Sequence, residues 1–194
     1  RHKSMSTLAD WARYYSSCGF TPVRLAPNSK RPIDAGWQTA TFGPDEAAAL
    51  ATGHAGNLGI SPGPELVVLD LDRKNGADGV ATVAALEQQH GPLPPTLTQR
   101  TPSNGEHRVF RLPPGVVVRN GVGVAPGVDI RARGGQIVAY PSTLDGRAWQ
   151  WVDAAAPIAP LPALWVQLLA PGSQRTTAPL PAVGGGGIPE GSRN

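Results

Sequence analysis

The feature that most constrains this chain is an aliphatic run at positions 66–69 that leads into two aspartates one residue apart, Asp70 and Asp72. Side chains of a β-strand alternate between its two faces, so the two carboxylates point to the same side. Two carboxylates on one face repel each other and resist burial. A divalent cation commonly makes such an arrangement favourable. The stretch therefore predicts a buried strand that ends at a metal-dependent active site.

The composition is that of a globular protein. The chain has 194 residues, of which 40% are hydrophobic and 16% are charged, so one domain with a real core is expected. Cys18 is the single cysteine, which excludes an internal disulfide and any zinc site built from several thiolates. No apolar run approaches the roughly 20 residues that a membrane span requires. An intracellular, cytoplasmic protein without a membrane partner is predicted.

Hydrophobic spacing and turn residues predict twelve elements. Helices are expected at residues 7–18, 44–52, 78–90 and 162–169, and strands at residues 20–25, 57–60, 66–71, 97–101, 107–112, 128–131, 136–139 and 149–152. Helices alternate with strands in the first half, and hairpins dominate the second. This order favours a mixed α+β domain.

The ends of the chain differ in composition from the middle. Residues 1–4 precede Met5 and are predicted to be a remnant of recombinant expression. Residues 5–170 are predicted to form the domain. Residues 171–194 are rich in proline, glycine, threonine and serine, which is typical of a linker. We expect this linker to lead towards a further C-terminal region of a longer protein.

Two further polar positions are candidates for the same site. His107 follows a glycine-containing turn, and Asp129 lies between Val128 and Ile130 in a short strand pattern. Three carboxylates suffice to hold two divalent ions about 3.5–4 Å apart, the arrangement used for phosphoryl and nucleotidyl transfer. Arg131 would share a face with Asp129 and could pair with phosphate oxygens.

Each of these positions also has a structural interpretation. An Asp-x-Asp at a strand end can be a turn cap or an ion-pair partner, and a single histidine such as His107 is more often structural than catalytic. Gly134-Gly135 alone is most simply a turn. The order of these features along the chain favours the functional interpretation.

Three ordered motifs carry a resemblance to a known family. They are Leu69-Asp70-Leu71-Asp72, then Thr101-Pro102-Ser103-Asn104-Gly105-Glu106-His107, then Val128-Asp129-Ile130-Arg131 followed by Gly134-Gly135-Gln136. With these motifs, residues 8–170 resemble the bifunctional DNA primase–polymerase N-terminal domain of plasmid, phage and mobile-element replication proteins. That domain belongs to the archaeo-eukaryotic primase superfamily. Asn104 stands where the family usually has glycine, and Ala132 where a glycine often follows the third motif.

The resemblance implies a fold and a set of site residues. The fold would be a primase-type catalytic core with an RRM-like sheet packed beside an N-terminal α/β subdomain. Asp70, Asp72 and Asp129 would bind two Mg²⁺ or Mn²⁺ ions, without zinc, and His107 would complete the catalytic set. The nucleotide-binding residues implied are Lys30, Ser103, Asn104, Gly105, His107, Arg131 and Arg133. Of these, Ser103, Asn104 and Gly105 would help to cradle the phosphates with their backbone amides.

The resemblance also implies partners. They are a single-stranded DNA template and primer, nucleoside triphosphates, and a helicase or primase C-terminal region in the full-length chain. Two other functions remain open from the residues alone. One is a Mn²⁺-dependent glycosyltransferase that uses the Asp-x-Asp pair, and the other is a non-catalytic DNA- or nucleotide-binding module.

Overall fold

The computed structural model of the protein describes residues 5–175. The predicted remnant at residues 1–4 and the part of the predicted linker after residue 175 lie outside this range. The described helices are α1 (Leu8–Ser17), α2 (Pro44–Ala51), α3 (Gly79–His90) and α4 (Ala163–Leu169). None of the helices within residues 5–175 is long and apolar enough to cross a membrane.

Short strands make up the rest of the regular structure. They are β1 (Phe20–Arg24), β2 (Leu58–Pro62), β3 (Leu66–Leu71), β4 (Arg73–Lys74), β5 (Ala77–Asp78), β6 (Thr98–Arg100), β7 (Glu106–Arg111), β8 (Val116–Val117), β9 (Gly121–Ala125), β10 (Val128–Arg131), β11 (Ile137–Ala139), β12 (Thr143–Leu144), β13 (Arg147–Ala148), β14 (Gln150–Trp151), β15 (Ala159–Pro160) and β16 (Gln174–Arg175). The mixed α+β class predicted from the sequence is confirmed.

Side-chain caps fix the starts of two predicted helices. The Thr7 side chain accepts a hydrogen bond from the Asp10 amide at 3.1 Å. The Asp10 carboxylate accepts one from the Thr7 amide, and the two bonds form a capping box at α1. Asp78 caps α3 by accepting from the Ala81 amide at 3.0 Å. Both helices begin where the sequence predicts, because a cap is a local interaction.

A seven-stranded sheet forms the centre of the domain. Its strand order is β14-β6-β7-β3-β10-β9, and β15 pairs in parallel with the end of β7. A second, three-stranded sheet has the order β1-β2-β11. Both neighbours of β3 run antiparallel to it. The strand that carries the Asp-x-Asp motif is therefore central in the larger sheet.

One face of the central sheet packs against the C-terminal helices. Leu69 and Leu71 of β3 lie in this core with Val83 of α3 and Trp165 of α4, and all four side chains are buried. Burial of aliphatic side chains of this size stabilises the folded state by about 1.5–3 kcal/mol each. This core fixes which face of β3 points away from the helices.

The other face of the same sheet packs against the smaller sheet and the N-terminal helices. Leu66 and Val68 lie there with Tyr15 of α1, Ala47 of α2 and Ile60 of β2. β3 is thus buried on both faces for most of its length. Asp70 continues the second face, at the point where the two sheets separate and a cleft opens between them.

The sequence patterns do not predict β9, which forms one edge of the central sheet. β9 has the sequence Gly-Val-Gly-Val-Ala, and two glycines in five residues weaken a strand pattern. It forms because β10 offers it a hydrogen-bonding edge, with Val128 opposite Ala125. Its position matters for the site, because it lies beside Asp129.

Candidate active site

The strand register places three polar side chains in one row across the central sheet. Asp70 on β3 lies opposite Asp129 on β10 and opposite His107 on β7. Opposite residues in an antiparallel pair have side chains on the same face, about 5 Å apart at Cβ. Asp70 and Asp129, which are 59 positions apart in the sequence, are therefore neighbours. Asp72 lies two residues after Asp70 and belongs to the same cluster.

The three carboxylates form one cluster. One oxygen each from Asp70, Asp72 and Asp129 lies within 4.8 Å of the others. The side chains of Asp70 and Asp129 are only 14% and 13% exposed. Oδ1 of Asp70 is buried and accepts no hydrogen bond of standard geometry within the described residues, and Nε2 of His107 makes only a long contact with it at 3.4 Å. An orphaned carboxylate oxygen in an all-oxygen cluster fits a hard divalent cation such as Mg²⁺ or Mn²⁺.

The charges around the pair act in opposite directions. Burial opposes the ionised form of Asp70, but the long hydrogen bond from His107 and the charge of Arg131 outweigh it and hold the pKa of this carboxyl below its usual value. Burial and the nearby Asp70 carboxylate raise the pKa of Asp72. The repulsion between the two carboxylates is therefore expressed in the raised pKa of Asp72. A bound cation would reduce that repulsion.

Asp129 is held by two donors of its own chain. Its Oδ1 accepts a hydrogen bond from the Gly123 amide of β9 at 2.8 Å, and its Oδ2 accepts one from Nη2 of Arg131 at 3.0 Å. Arg131 also approaches Asp70, with Nε 3.8 Å from Oδ2. Arg131 shares the face of Asp129, as predicted. Its guanidinium is directed at carboxylates in this structure.

His107 is buried near the start of β7, directly after the glycine-containing turn. It is 5% exposed, and its Nε2 is 3.4 Å from Oδ1 of Asp70. Its Nδ1 is 2.9 Å from the side-chain nitrogen of Gln99. His107 therefore combines contact with an acidic residue and a buried polar support.

The turn that precedes His107 is closed by its own hydrogen bonds. The Asn104 amide donates to the Thr101 carbonyl, and the Gly105 amide donates to Oγ1 of Thr101, both at 3.0 Å. Only the Ser103 amide of the three predicted to cradle phosphates has no bond within this turn. Asn104 adopts a φ of +63°, a conformation that asparagine tolerates better than most residues and that explains its place at a glycine position. A Cβ on Gly105 would collide with the Leu71 carbonyl.

A cleft of about 750 Å³ opens over this cluster. Basic, aromatic and acidic side chains line it together, among them Lys30, Trp37, Asp70, Asp72, Lys74, Ser103, His107, Asn120, Arg131, Gln136, Arg147 and Trp149. Asp70 and Asp72 lie at or just beyond the end of β3, and Lys30, Trp37 and Trp149 come from other parts of the chain. A cleft of this size and character suits a polyanionic ligand that is bound together with a cation.

Lys30 reaches the cleft from a loop that other residues fasten. Asn57 is 8% exposed and donates from Nδ2 to the carbonyls of Ser29 at 3.0 Å and Thr143 at 2.8 Å. Nζ of Lys30 lies 5.8 Å from the ring centroid of the buried Trp149, within the range of a cation–π contact. Lys30 and Trp149 thus lie together at one wall of the cleft, and Asn57 holds the loop that carries Lys30.

Some predicted nucleotide-binding residues do not line the cleft. Arg133 is exposed on the surface outside it, and Asn104 and Gly105 lie within the turn behind Ser103. Asp129 is also absent from the lining, because Arg131 lies in front of its carboxylate. The structure therefore brings together the three aspartates, His107, Lys30, Ser103 and Arg131, and leaves Arg133 apart.

Sequence patterns miss several residues that shape the site. Asn120 accepts from the Ala132 amide at 2.8 Å and donates to the Arg133 carbonyl at 3.0 Å, which fixes the loop after β10. The missed residues that support or line the cleft are Gln99, Asn120, Gly123 and Arg147. An isolated polar residue carries no local signal, so only the fold identifies these positions.

A family model described as bifunctional DNA primase/polymerase, N-terminal, matches residues 12–164. This range covers most of the chain and includes the three aspartates, the histidine and the lysine of the cleft. No curated protein matches the sequence.

Proposed function

The chain belongs to the family of bifunctional DNA primase/polymerase N-terminal domains, and from this premise we propose that it is a template-dependent nucleotidyltransferase. It starts or extends DNA strands from nucleoside triphosphates during plasmid, phage or mobile-element replication. The observation that carries the proposal is the acidic cluster with its orphaned Asp70 oxygen, set beside a cleft lined by lysine and arginine.

The acidic residues are assigned to metal binding. Asp70, Asp72 and Asp129 hold two Mg²⁺ or Mn²⁺ ions, for which the carboxylate oxygens within 4.8 Å of one another supply ligands. When bound, such ions activate an attacking 3′-hydroxyl and neutralise the charge that develops on the triphosphate. Despite burial, hydrogen bonding from His107 and the charge of Arg131 lower the pKa of the Asp70 carboxyl, which favours the ionised form that binds a cation.

The basic residues are assigned to the triphosphate. Lys30 and Arg131 both line the cleft, Lys30 from the loop after β1 and Arg131 from the end of β10. Arg131 can exchange its carboxylate partners for phosphate oxygens, since a guanidinium binds both in the same planar geometry. The Ser103 amide and His107 add hydrogen-bond donors at the phosphate side of the cluster. Arg133 is given no role, because it lies outside the cleft.

The partners follow from the same proposal. A single-stranded template and a primer would reach the acidic cluster through the open side of the cleft, with their phosphates bound by dispersed basic residues. We also propose that the segment after residue 170 connects the domain to a helicase or primase C-terminal region.

A glycosyltransferase would need less than this site provides. An Asp-x-Asp pair alone can hold Mn²⁺ on a sugar-nucleotide diphosphate. The row formed by Asp129, Asp70 and His107 gives a third carboxylate and a buried histidine that such a pair does not require. The row favours the nucleotidyltransferase proposal.

Primer extension and de novo synthesis on single-stranded DNA with Mg²⁺ or Mn²⁺ test the proposal. The full chain should incorporate nucleotides, and the double variant Asp70→Ala/Asp72→Ala should lose incorporation by at least about 10²-fold, since even outer-sphere changes at metal sites cost 10–100-fold. Asp45→Ala is the matched control, because Asp45 is an exposed aspartate on α2 that does not line the cleft. Equal incorporation by the wild type and the double variant would refute the assignment.

A further inference from the structure

Gln99 is a fully buried polar residue that the proposed chemistry does not use. It lies on β6 directly opposite His107 on β7, and its relative exposure is 0%. A buried amide is costly unless its donors and acceptor are all satisfied. Each polar atom of this side chain has a hydrogen-bond partner, and these partners show which position holds the amide oxygen and which the nitrogen.

Two backbone groups fix the orientation of the Gln99 amide. Its oxygen accepts a hydrogen bond from the Tyr140 amide at 2.9 Å, and its nitrogen donates to the Val138 carbonyl at 2.9 Å. A backbone amide can only donate and a carbonyl can only accept. The reversed amide would set nitrogen against an amide and oxygen against a carbonyl. Strand β11 and the residue after it therefore decide the orientation, independently of His107.

The orientation of the Gln99 amide then decides which imidazole nitrogen of His107 carries the proton. The same Gln99 nitrogen lies 2.9 Å from Nδ1 of His107. Since that nitrogen donates, Nδ1 must accept and cannot carry a proton. A neutral imidazole without a proton on Nδ1 carries it on Nε2.

We propose that Gln99 is a positioning residue that holds His107 in the tautomer protonated on Nε2. Nε2 lies 3.4 Å from Oδ1 of Asp70, the orphaned oxygen of the acidic cluster. His107 therefore presents an N–H donor, with no free lone pair, to Asp70 and to the cleft. Val138 of the smaller sheet fixes the Gln99 amide, and Gln99 in turn fixes the imidazole of His107 beside the acidic cluster.

The inference narrows the role of His107 in catalysis. With Nδ1 engaged and Nε2 protonated, His107 cannot ligate a metal ion through either nitrogen without breaking the Gln99 contact. It can donate a hydrogen bond to Asp70 or to a phosphate oxygen of the incoming nucleotide. This consequence rests on the proposed function, whereas the tautomer does not.

Nuclear magnetic resonance of the full chain labelled with ¹⁵N-histidine tests the tautomer directly. The long-range ¹H–¹⁵N pattern of His107, assigned by its loss in His107→Gln, should show Nδ1 without a proton and Nε2 with one at neutral pH in metal-free protein. A pattern with the proton on Nδ1, or on both nitrogens, would overturn the inference. This measurement needs no variant at Gln99 to fold.

A substitution supplies a second, independent readout. Gln99→Glu replaces the donor that faces Nδ1 with an oxygen acceptor, so the His107 pattern should change to one with a proton on Nδ1. Gln150→Glu is the matched control, because Gln150 is exposed on β14, the strand that pairs with β6. An unchanged His107 pattern in folded Gln99→Glu would contradict the role of Gln99.

Nucleotide binding separates this inference from the proposed function. If an N–H at the Nε2 position matters, His107→Gln should retain more affinity for a nucleoside triphosphate than His107→Met, which has similar length and no donor. A wild-type protein that shows the expected tautomer but binds no nucleotide supports the inference and counts against the proposed function. Nucleotide binding by a protein with the proton on Nδ1 supports the proposed function and contradicts the inference.

Discussion

Nη2 of Arg131 donates to Oδ2 of Asp129 at 3.0 Å, and the two residues lie two positions apart on the same face of β10. The guanidinium therefore stands between the third carboxylate and the cleft. The same group extends towards Asp70, with Nε 3.8 Å from Oδ2. Arg131 therefore places positive charge beside both carboxylates.

Replacement of Arg131 should separate metal binding from triphosphate binding. In Arg131→Gln the carboxylates lose a competing cation, so the dissociation constant for Mn²⁺ should fall about two- to fivefold, as expected for a partly exposed ion pair. Affinity for a nucleoside triphosphate should fall about tenfold or more, since a charge-assisted hydrogen bond is lost. Calorimetric titration with Mn²⁺ alone, and then with nucleotide, measures both constants. Arg133→Gln is the control, because Arg133 is exposed outside the cleft, and the same changes in that variant would contradict the assignment.

Lys30 and Arg31 provide a matched pair of neighbouring cations. Both side chains are exposed, but only Lys30 lines the cleft. Lys30→Met should weaken triphosphate binding about three- to tenfold, and the remaining binding should depend less on salt, because one screened attraction is removed. Arg31→Met should leave both quantities close to those of the wild type. Fluorescence titration at two ionic strengths makes the comparison, and equal losses in the two variants would indicate a general charge effect.

Asn57 should contribute to both stability and binding. Asn57→Ala removes the donor to the Ser29 and Thr143 carbonyls, and each lost hydrogen bond should lower the free energy of unfolding by about 0.5–1.5 kcal/mol. The loop that carries Lys30 should also become less ordered, so nucleotide affinity should fall. Urea denaturation measures the first effect and nucleotide titration the second.

Asn28→Gly serves as the comparison for Asn57. Asn28 lies on the same loop, but its contacts with Asp145 are exposed to solvent. Glycine retains the φ of +46° at this position without strain, so the loss should cost less than about 1 kcal/mol, as for a solvent-exposed hydrogen bond. A larger loss of stability in Asn28→Gly than in Asn57→Ala would mean that the buried asparagine does not hold the loop in place.

The Arg24–Asp34 pair predicts a stability change in acid. Two hydrogen bonds of 2.8 and 2.6 Å join the guanidinium to the Asp34 carboxylate. Arg24, with a smaller effect from His54, holds the pKa of Asp34 below its usual value of 3.8. A lowered pKa in the folded state gives stability that is present above pH 3.8 and is lost as pH falls through the folded-state pKa. The difference in unfolding free energy between the wild type and Asp34→Asn should therefore shrink below that pH. Denaturation curves at pH 6 and at about pH 2.5 test this, and a constant difference would show that the pair is not formed.

Local patterns predicted most of the secondary structure. The caps at Thr7 and Asp78 and the terminal glycines after α1 and α3 involve residues close in sequence, so helix ends could be placed to within about two residues. β9 was not predicted, because its glycines weaken the pattern and its pairing with β10 is tertiary. Its omission also concealed the Gly123 amide that holds Asp129.

The candidate site divides in the same way. Strand alternation placed Asp70 and Asp72 on one side of β3, since a period of two is a local property. The burial of His107 against Asp70 and Gln99 was not predicted, because it depends on the register of three strands. Three backbone amides were predicted to bind phosphate, but those of Asn104 and Gly105 donate to Thr101 within the turn itself.

The sequence by itself determined the strand that ends in two aspartates, the order of the three motifs and the family to which the chain belongs. Those properties are written in residue types and short spacings. The tertiary structure alone decided that Asp129, Asp70 and His107 form one row, that Arg131 covers the third carboxylate, and that Gln99 supports the histidine. The physical reason is that both faces of β3 are buried. Packing against two cores fixes the strand register, and the register brings residues from distant parts of the chain to the acidic end of the strand.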